Sequence, residues 1–429
     1  MTRIFTISVA MGLLVSPEAL TLVGNSAGQA GQGFVGFVLL ACLAYLLISL
    51  GYTKTFALYR GPSGEARFIR RAFGAVAAVV SPVCARVTMA VCASTALLAT
   101  AGYVFNEVFL YWFPNLGFSF CLLGFLLLLN LLGKNVAAIG QLFFVGSAVG
   151  GLLLLSLVGF LDWGNPPSAM LDAPTPLAHM PQTGVACLLL FVGFDLAGFA
   201  EKTEHHPAKA MTAAILVAGL VFCCWGLVSL KFVPSSKLVD TSIPYVKVAR
   251  AMLGQWGRIW MGLIILSGAS ASVNALLMAV SKMMTAMASD GLLPPFLAKG
   301  KGNATIALLF LAAAVAAMMG IGMAGEPILE TYMKAGTWFW LLHYAVIQGA
   351  LIVTVDRVRP GGRIQKKAWS RLLTGAGLAA MVLAATAMLL LEEDWGLLLR
   401  LLLLLLGTAL FLAAFWIFLS KKKGWLSPS

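Results

Sequence analysis

Three ionisable residues, Glu18, Arg86 and Asp195, lie inside long apolar stretches of this 429-residue chain. A charge near the centre of a bilayer costs about 3 kcal/mol or more, so each needs a partner or a task. Asp195 follows Gly193 by two residues in FVGFDLAGF (191–199), which sets a carboxylate beside a helix-weakening position. Such a carboxylate can accept a substrate ammonium or a coupling proton. The competing reading is a structural ion pair with Arg86. At about 1.5 Å of rise per residue, Arg86 and Asp195 each lie some 15–20 Å into their helices, near mid-depth, which lets them face one another. The Arg86 fork also suits a substrate carboxylate bidentately. Glu18 stands further along the first apolar stretch. Ser267, Ser270, Ser272 and Asn274 in SGASASVNA (267–275) offer hydroxyl and amide oxygens, either for an ion or as glue between helices. Glu330 and Lys334 are spaced i,i+4 and are expected to pair with each other.

Other chemistries find little support. In EKTEHH (201–206), Glu201 and His205 share a helix face, yet no third spaced ligand follows, so a solvated turn is expected and no metal. The seven cysteines are scattered without a Cys-x-x-Cys, and Cys223 and Cys224 read as packed thiols. No Gly-x-Ser-x-Gly, P-loop or His-Glu-x-x-His occurs, and the four histidines leave little for catalysis. An intramembrane enzyme would need a nucleophile–base pair or clustered ligands at depth. Neither enzyme nor cofactor is expected.

The elements that position these groups are membrane helices. Hydrophobic residues make up 60% of the chain and charged ones 10%, against about 25% in soluble domains. Apolar stretches able to span a bilayer cover residues 4–23, 34–58, 75–104, 118–132, 138–161, 184–199, 209–232, 256–284, 304–323, 328–355, 372–391 and 396–419. The chain is therefore expected to be an all-α, multi-pass integral membrane protein of about twelve helices. The first apolar run continues past Pro17 without a small-residue cleavage site and reads as the first span rather than a signal peptide.

The net charge of +13 is not a nucleic-acid footprint, because of how it is distributed. Arg67, Arg70 and Arg71, then Arg357, Arg359, Arg363, Lys366 and Lys367, then Lys421, Lys422 and Lys423 all fall on one expected face. The positive-inside rule makes that face, with both termini, cytoplasmic. The expected location is the cytoplasmic (inner) membrane.

Spans one to ten divide into two sets of five, each opening on an interrupted span: Gly12 and Pro17 in the first, Gly193 and Gly198 in the sixth. Paired interruptions of this kind point to an inverted-repeat transporter with its site at the breaks. The freed backbone must line a protein-enclosed cavity, since lipid cannot satisfy it. Gly146 and Gly150 fit close helix packing. Spans eleven and twelve, with LLLRLLLLLLG (397–407), read as peripheral. A core of residues 1–356 is thus expected, followed by two outer helices and a basic tail over 357–429.

Several stretches, in order over residues 1 to 356, resemble the amino acid–polyamine–organocation transporters. LLLFVGFDLAGFAEKTEHHPAKAMTAAI is similar to that family's unwound sixth helix, with His206-Pro207 in place of Asn-Pro. SKMMTAMASDGLLPPFLAK (281–299) matches the exit of the eighth, with Lys282 for arginine. LLLLNLLGKNVAAIGQ matches the fourth at Asn130 and Gly133, and YRGPSGEARFIRRAFG matches the segment between the second and third. The first span departs, since Ala10-Met11-Gly12-Leu13-Leu14 keeps one glycine and no hydroxyl where the family has a Gly-Ser/Thr-Gly motif. Ala148 stands where some proton-coupled relatives carry lysine.

The resemblance implies secondary transport of an amino acid, amine or polyamine by alternating access, coupled to protons or a counter-substrate, in either direction. It implies a small-molecule site at Ala10, Met11, Gly12 and Leu13 facing Phe191, Gly193, Phe194 and Asp195, with Arg86 at the same depth. Glu18, Asp195, Ser270 and Asn274 are the coupling or gating candidates. The altered first span leaves a second reading open, a non-transporting accessory or scaffold subunit.

Overall fold

Hydrocarbon offers no hydrogen bonds to a backbone, so the apolar stretches fold as helices, with interruptions in the first and the sixth. The computed structural model describes residues 2–59, 61–161, 180–199, 207–239, 241–298, 304–358 and 364–425, and no strand occurs among them. Among these residues nine helical segments are long and apolar enough to cross a membrane, and three shorter apolar helices accompany them.

The first stretch is split. α1 (Thr2–Leu14) stops at Val15 and Ser16, and α2 (Pro17–Ala30) begins with Pro17 in its first turn. The Ser16 hydroxyl caps α2 by accepting from the Ala19 amide at 3.2 Å. The break therefore lies past the expected stretch 10–14, which stays helical. One glycine costs a helix about 1 kcal/mol, too little to end it. Pro17, which has no N–H, together with a cap at Ser16, does end it.

α3 (Phe34–Leu58) leads to the short amphipathic α4 (Gly64–Phe73) and then α5 (Ala75–Pro82). Pro82 cannot donate to the preceding turn, and the register is absorbed by one π turn, Val83–Val87, before α6 (Thr88–Val108). Arg86 lies in that turn. α7 (Asn115–Leu131) and α8 (Lys134–Leu161) follow. α9 (Met180–Leu189) unwinds at 190–193, as expected, and resumes as a 3-10 helix, Phe194–Phe199. α10 (Pro207–Phe232) starts at the anticipated proline, and α11 (Ser235–Val239) is one short turn beyond it.

α12 (Pro244–Ser289) is bent at Leu253 and Gly254, which leaves 244–252 as an arm. α13 (Thr305–Gly320), α14 (Pro327–Val358), α15 (Ile364–Leu390) and α16 (Trp395–Lys422) complete the chain. α1 packs against α8, α10 and α12 at the centre of the bundle. α15 lies against α14 and α3, where Trp338 donates to the Ala385 carbonyl at 2.9 Å. α16 exposes Leu403, Leu404, Phe411, Leu412 and Phe418, as a lipid-facing helix does.

Candidate functional site

The sixth-stretch break is fixed by Gly193, whose φ of +103° favours glycine. A Cβ there would lie 2.7 Å from Leu13 Cδ2, so the two interrupted stretches touch through a residue without a side chain. The freed Gly193 amide donates to Tyr344 Oη at 3.0 Å. Tyr344 Oη in turn donates to Asp195 Oδ1 at 2.6 Å, and Trp340 Nε1 donates to the same oxygen at 3.1 Å. Asp195 Oδ2 accepts from Arg86 Nε at 3.0 Å and from Arg86 Nη2. Both Asp195 and Arg86 are fully buried. They pair directly with each other, as two charges in apolar stretches require.

Arg86 holds a second carboxylate. Its Nη2 donates to Glu65 Oε2 at 2.6 Å, and Glu65 comes from α4, a helix between membrane spans. The same Oε2 lies 3.0 Å from His343 Nε2, and His343 Nδ1 lies 2.7 Å from Ser81 Oγ. Burial pushes the Glu65 carboxyl up, but the Arg86 cation and the His343 hydrogen bond outweigh it, holding the group below the usual carboxylate range. The guanidinium also sits 4.7 Å from the Phe199 ring centroid. Asp195, Arg86, Glu65 and His343 thus form one buried chain from the break to α4, with part-buried Ser81 beside His343.

Aromatic rings wall this chain. Tyr45 contacts Phe191, Phe194 and Tyr344 at centroid distances of 5.6, 5.5 and 5.8 Å. Tyr52 lies 5.7 Å from Phe194. The buried Tyr45 hydroxyl has no hydrogen-bond partner among the described residues.

Behind α1 a neutral relay ties helices together. Asn130 donates to Asn274 at 2.6 Å, Asn274 to Gln141 Oε1 at 2.8 Å, and Gln141 Nε2 to the Ser8 carbonyl at 3.1 Å. Ser272 Oγ reaches the Gly12 carbonyl at 2.7 Å. Ser270 instead bonds the Leu266 carbonyl of its own helix. Of the coupling candidates, Asn274 belongs to the relay and Ser270 does not.

On the face of the bundle opposite α4, a cavity of about 730 Å³ is lined by Glu18, Thr21, Tyr103, Tyr245, Glu326 and Glu330, among others. Lys334 pairs with Glu330 as expected, at 3.0 Å, and also with Glu392 at 2.7 Å. Ala10, Met11, Gly12, Leu13, Phe191, Gly193, Phe194, Asp195 and Arg86 are buried and do not line this cavity. They are packed interior, not cavity wall.

Sequence reading missed Glu65, His343, Gln141, Trp340 and Tyr344. His343, Tyr344 and Gln348 do stand out as polar residues in an apolar stretch, whereas Glu65 sits in an arginine-rich loop that reads as solvated. No group of three or more His, Cys, Asp or Glu is placed to hold a metal among the described residues. The EKTEHH segment lies outside them.

A buried acid–arginine pair thus stands at the break of a membrane helix. The family described as Amino acid permease matches residues 2–397, and the chain belongs to it, within the amino acid–polyamine–organocation superfamily. It is a multi-pass membrane transporter of amino acids or related compounds. No curated protein matches the chain.

Proposed function

We propose that the protein is a secondary active transporter of an ammonium-bearing substrate, an amino acid or amine, working by alternating access in the inner membrane with both termini cytoplasmic. The observation that carries this reading is the placement of Asp195. Its buried carboxylate stands at the break of the sixth stretch, two residues from Gly193, which packs on Leu13 at the end of α1. On this reading the residues 1–356 form the moving core and the remainder supports it.

The cavity opposite α4 is the outer vestibule, and Glu18, Glu326 and Glu330 give it carboxylates that attract a cation. The described conformation is closed at the breaks. α1 and the sixth stretch part to admit substrate, and the substrate ammonium takes a place on Asp195 that Arg86 now holds. Arg86 is not left unpaired by this exchange, because Glu65 keeps it bonded. Loss of one partner of a buried pair costs about 3–5 kcal/mol, and a second carboxylate on the arginine removes most of that barrier. Phe191, Phe194 and Tyr45 close over the ligand, and the free Tyr45 hydroxyl supplies a polar contact. Coupling is to a proton or to a counter-substrate.

The close packing of Gly193 on Leu13 and the saturated Arg86–Asp195 pair favour a second reading, a scaffold subunit that no longer transports. Thermal stabilisation of the purified protein across a panel of amino acids and amines separates the two. A transporter shows at least one hit, whereas a scaffold shows none.

A further inference from the structure

With His343 neutral, the buried chain holds one cation, Arg86, and two carboxylates, Asp195 and Glu65, for a formal charge of minus one. We propose that His343 is a proton-binding site, paired with Glu65, whose proton and a substrate ammonium at Asp195 are alternative ways of neutralising the same buried cluster. The proposal rests on the transport reading given above and adds to it the seat of the coupling ion: a proton exchanged for the substrate amine.

The geometry suits both protonation states of the imidazole. Glu65 Oε2 can only accept while it is a carboxylate, so His343 Nε2 carries hydrogen in either state. The second nitrogen, Nδ1, faces the Ser81 hydroxyl, which both donates and accepts. In neutral His343 the Ser81 hydroxyl donates to Nδ1. When a proton binds Nδ1, the new N–H donates to Ser81 Oγ and the hydroxyl hydrogen turns away. No bond is lost, and one positive charge is gained beside Glu65. Ser81 is only part-buried, on α5 at the edge of the cluster, and lies on the side of His343 away from Glu65.

The groups facing His343 set the sign of the linkage. Glu65 from α4 touches it, Arg86 from the π turn bridges Glu65 to Asp195, and Asp195 contributes the second negative charge from the sixth-stretch break. Tyr52 from α3 faces the same carboxylates and Arg86. Burial and the Arg86 cation oppose a proton on His343 while the Glu65 and Asp195 carboxylates favour one, and an ammonium on Asp195 removes part of that favourable charge. By reciprocity, a proton on His343 weakens ammonium binding by the same factor. Two carboxylates sharing one arginine are what make the proton and the substrate compete.

The test uses ring-¹⁵N-histidine NMR on the full chain in lipid nanodiscs, across a range that brackets about pH 5 to 8. The chain has four histidines, so His343→Asn assigns the resonance. The wild type is expected to show the His343 imidazole titrating within that range. Asp195→Asn and, separately, Glu65→Gln are each expected to lower its midpoint by about one pH unit or more, a tenfold loss of proton affinity. A His343 ring that keeps one protonation state throughout overturns the proposal. A midpoint that is unmoved or raised in Asp195→Asn, with titration intact in the wild type, overturns the competition between proton and ammonium. The wild-type titration stands even where a variant does not fold. It needs no substrate, so its failure leaves transport at Asp195 untouched, and a failure of transport leaves the titration standing.

Discussion

Arg86 donates to two carboxylates and to a methionine sulfur at 3.7 Å, and its guanidinium lies over an aromatic face. That arrangement tolerates the temporary loss of one acid but not the loss of the arginine. Arg86→Met leaves Asp195 and Glu65 as two buried carboxylates without their cation, and it is expected to destabilise the protein by about 3–5 kcal/mol. Combining it with Asp195→Asn and Glu65→Gln removes the charges together and is expected to restore most of the loss. Apparent melting temperatures in detergent, measured at one scan rate, check the order: wild type and triple variant high, single variant low. The Arg86–Asp195 contact was legible in the sequence, because both residues sit near mid-depth in apolar stretches where a charge needs a counter-charge. Glu65 was not. It lies 278 residues from His343 in sequence and two residues from Arg67, so nothing local separates it from a solvated loop acid.

Helix breaks are set by which residues refuse the helix, and the two interrupted stretches use different devices. In the sixth, glycine at positive φ lets the chain turn at 190–193 while its amide finds Tyr344. In the first, a capping serine and Pro17, one of the two interrupting residues expected from sequence, stop the helix past Gly12, the other. The sixth break was readable because a glycine and a carboxylate coincide. The first was displaced because Gly12 serves contact rather than unwinding: a Cβ there would come within 2.6 Å of the Ala275 side chain. The π turn at Arg86 had a visible cause in Pro82, but its effect on the direction of the arginine depends on packing. Gly193→Ala puts a side chain at an unfavourable φ and against Leu13. A strain of about 1–3 kcal/mol is expected, with transport impaired more than membrane expression. Initial uptake rates normalised to the amount of protein in the membrane are the check. Unchanged rates would mean that the sixth-stretch break does not have to fit against α1.

At the scale of the whole molecule, the acidic cavity and the α4 helix mark opposite faces. The sequence made the membrane class plain through twelve apolar stretches and the clustering of basic residues. It could not reveal the closed state, because nothing in a local pattern tells how far two broken helices stand apart. With the positive-inside orientation, a cysteine at Ser242 in the cavity wall reacts with a membrane-impermeant thiol reagent from outside intact cells, in a background lacking the native cysteines. One at Phe73 on α4, which is 47% exposed, reacts only after permeabilisation. The reverse pattern would invert the orientation and make the vestibule cytoplasmic. The central claim, transport through Asp195, is met most directly by concentrative uptake into proteoliposomes under an imposed pH gradient, using radiolabelled amino acids and amines. The wild type is expected to accumulate at least one of them and Asp195→Asn none, with both proteins reconstituted in equal amounts. Accumulation by Asp195→Asn equal to that of the wild type, or by neither protein across the whole panel, would contradict it.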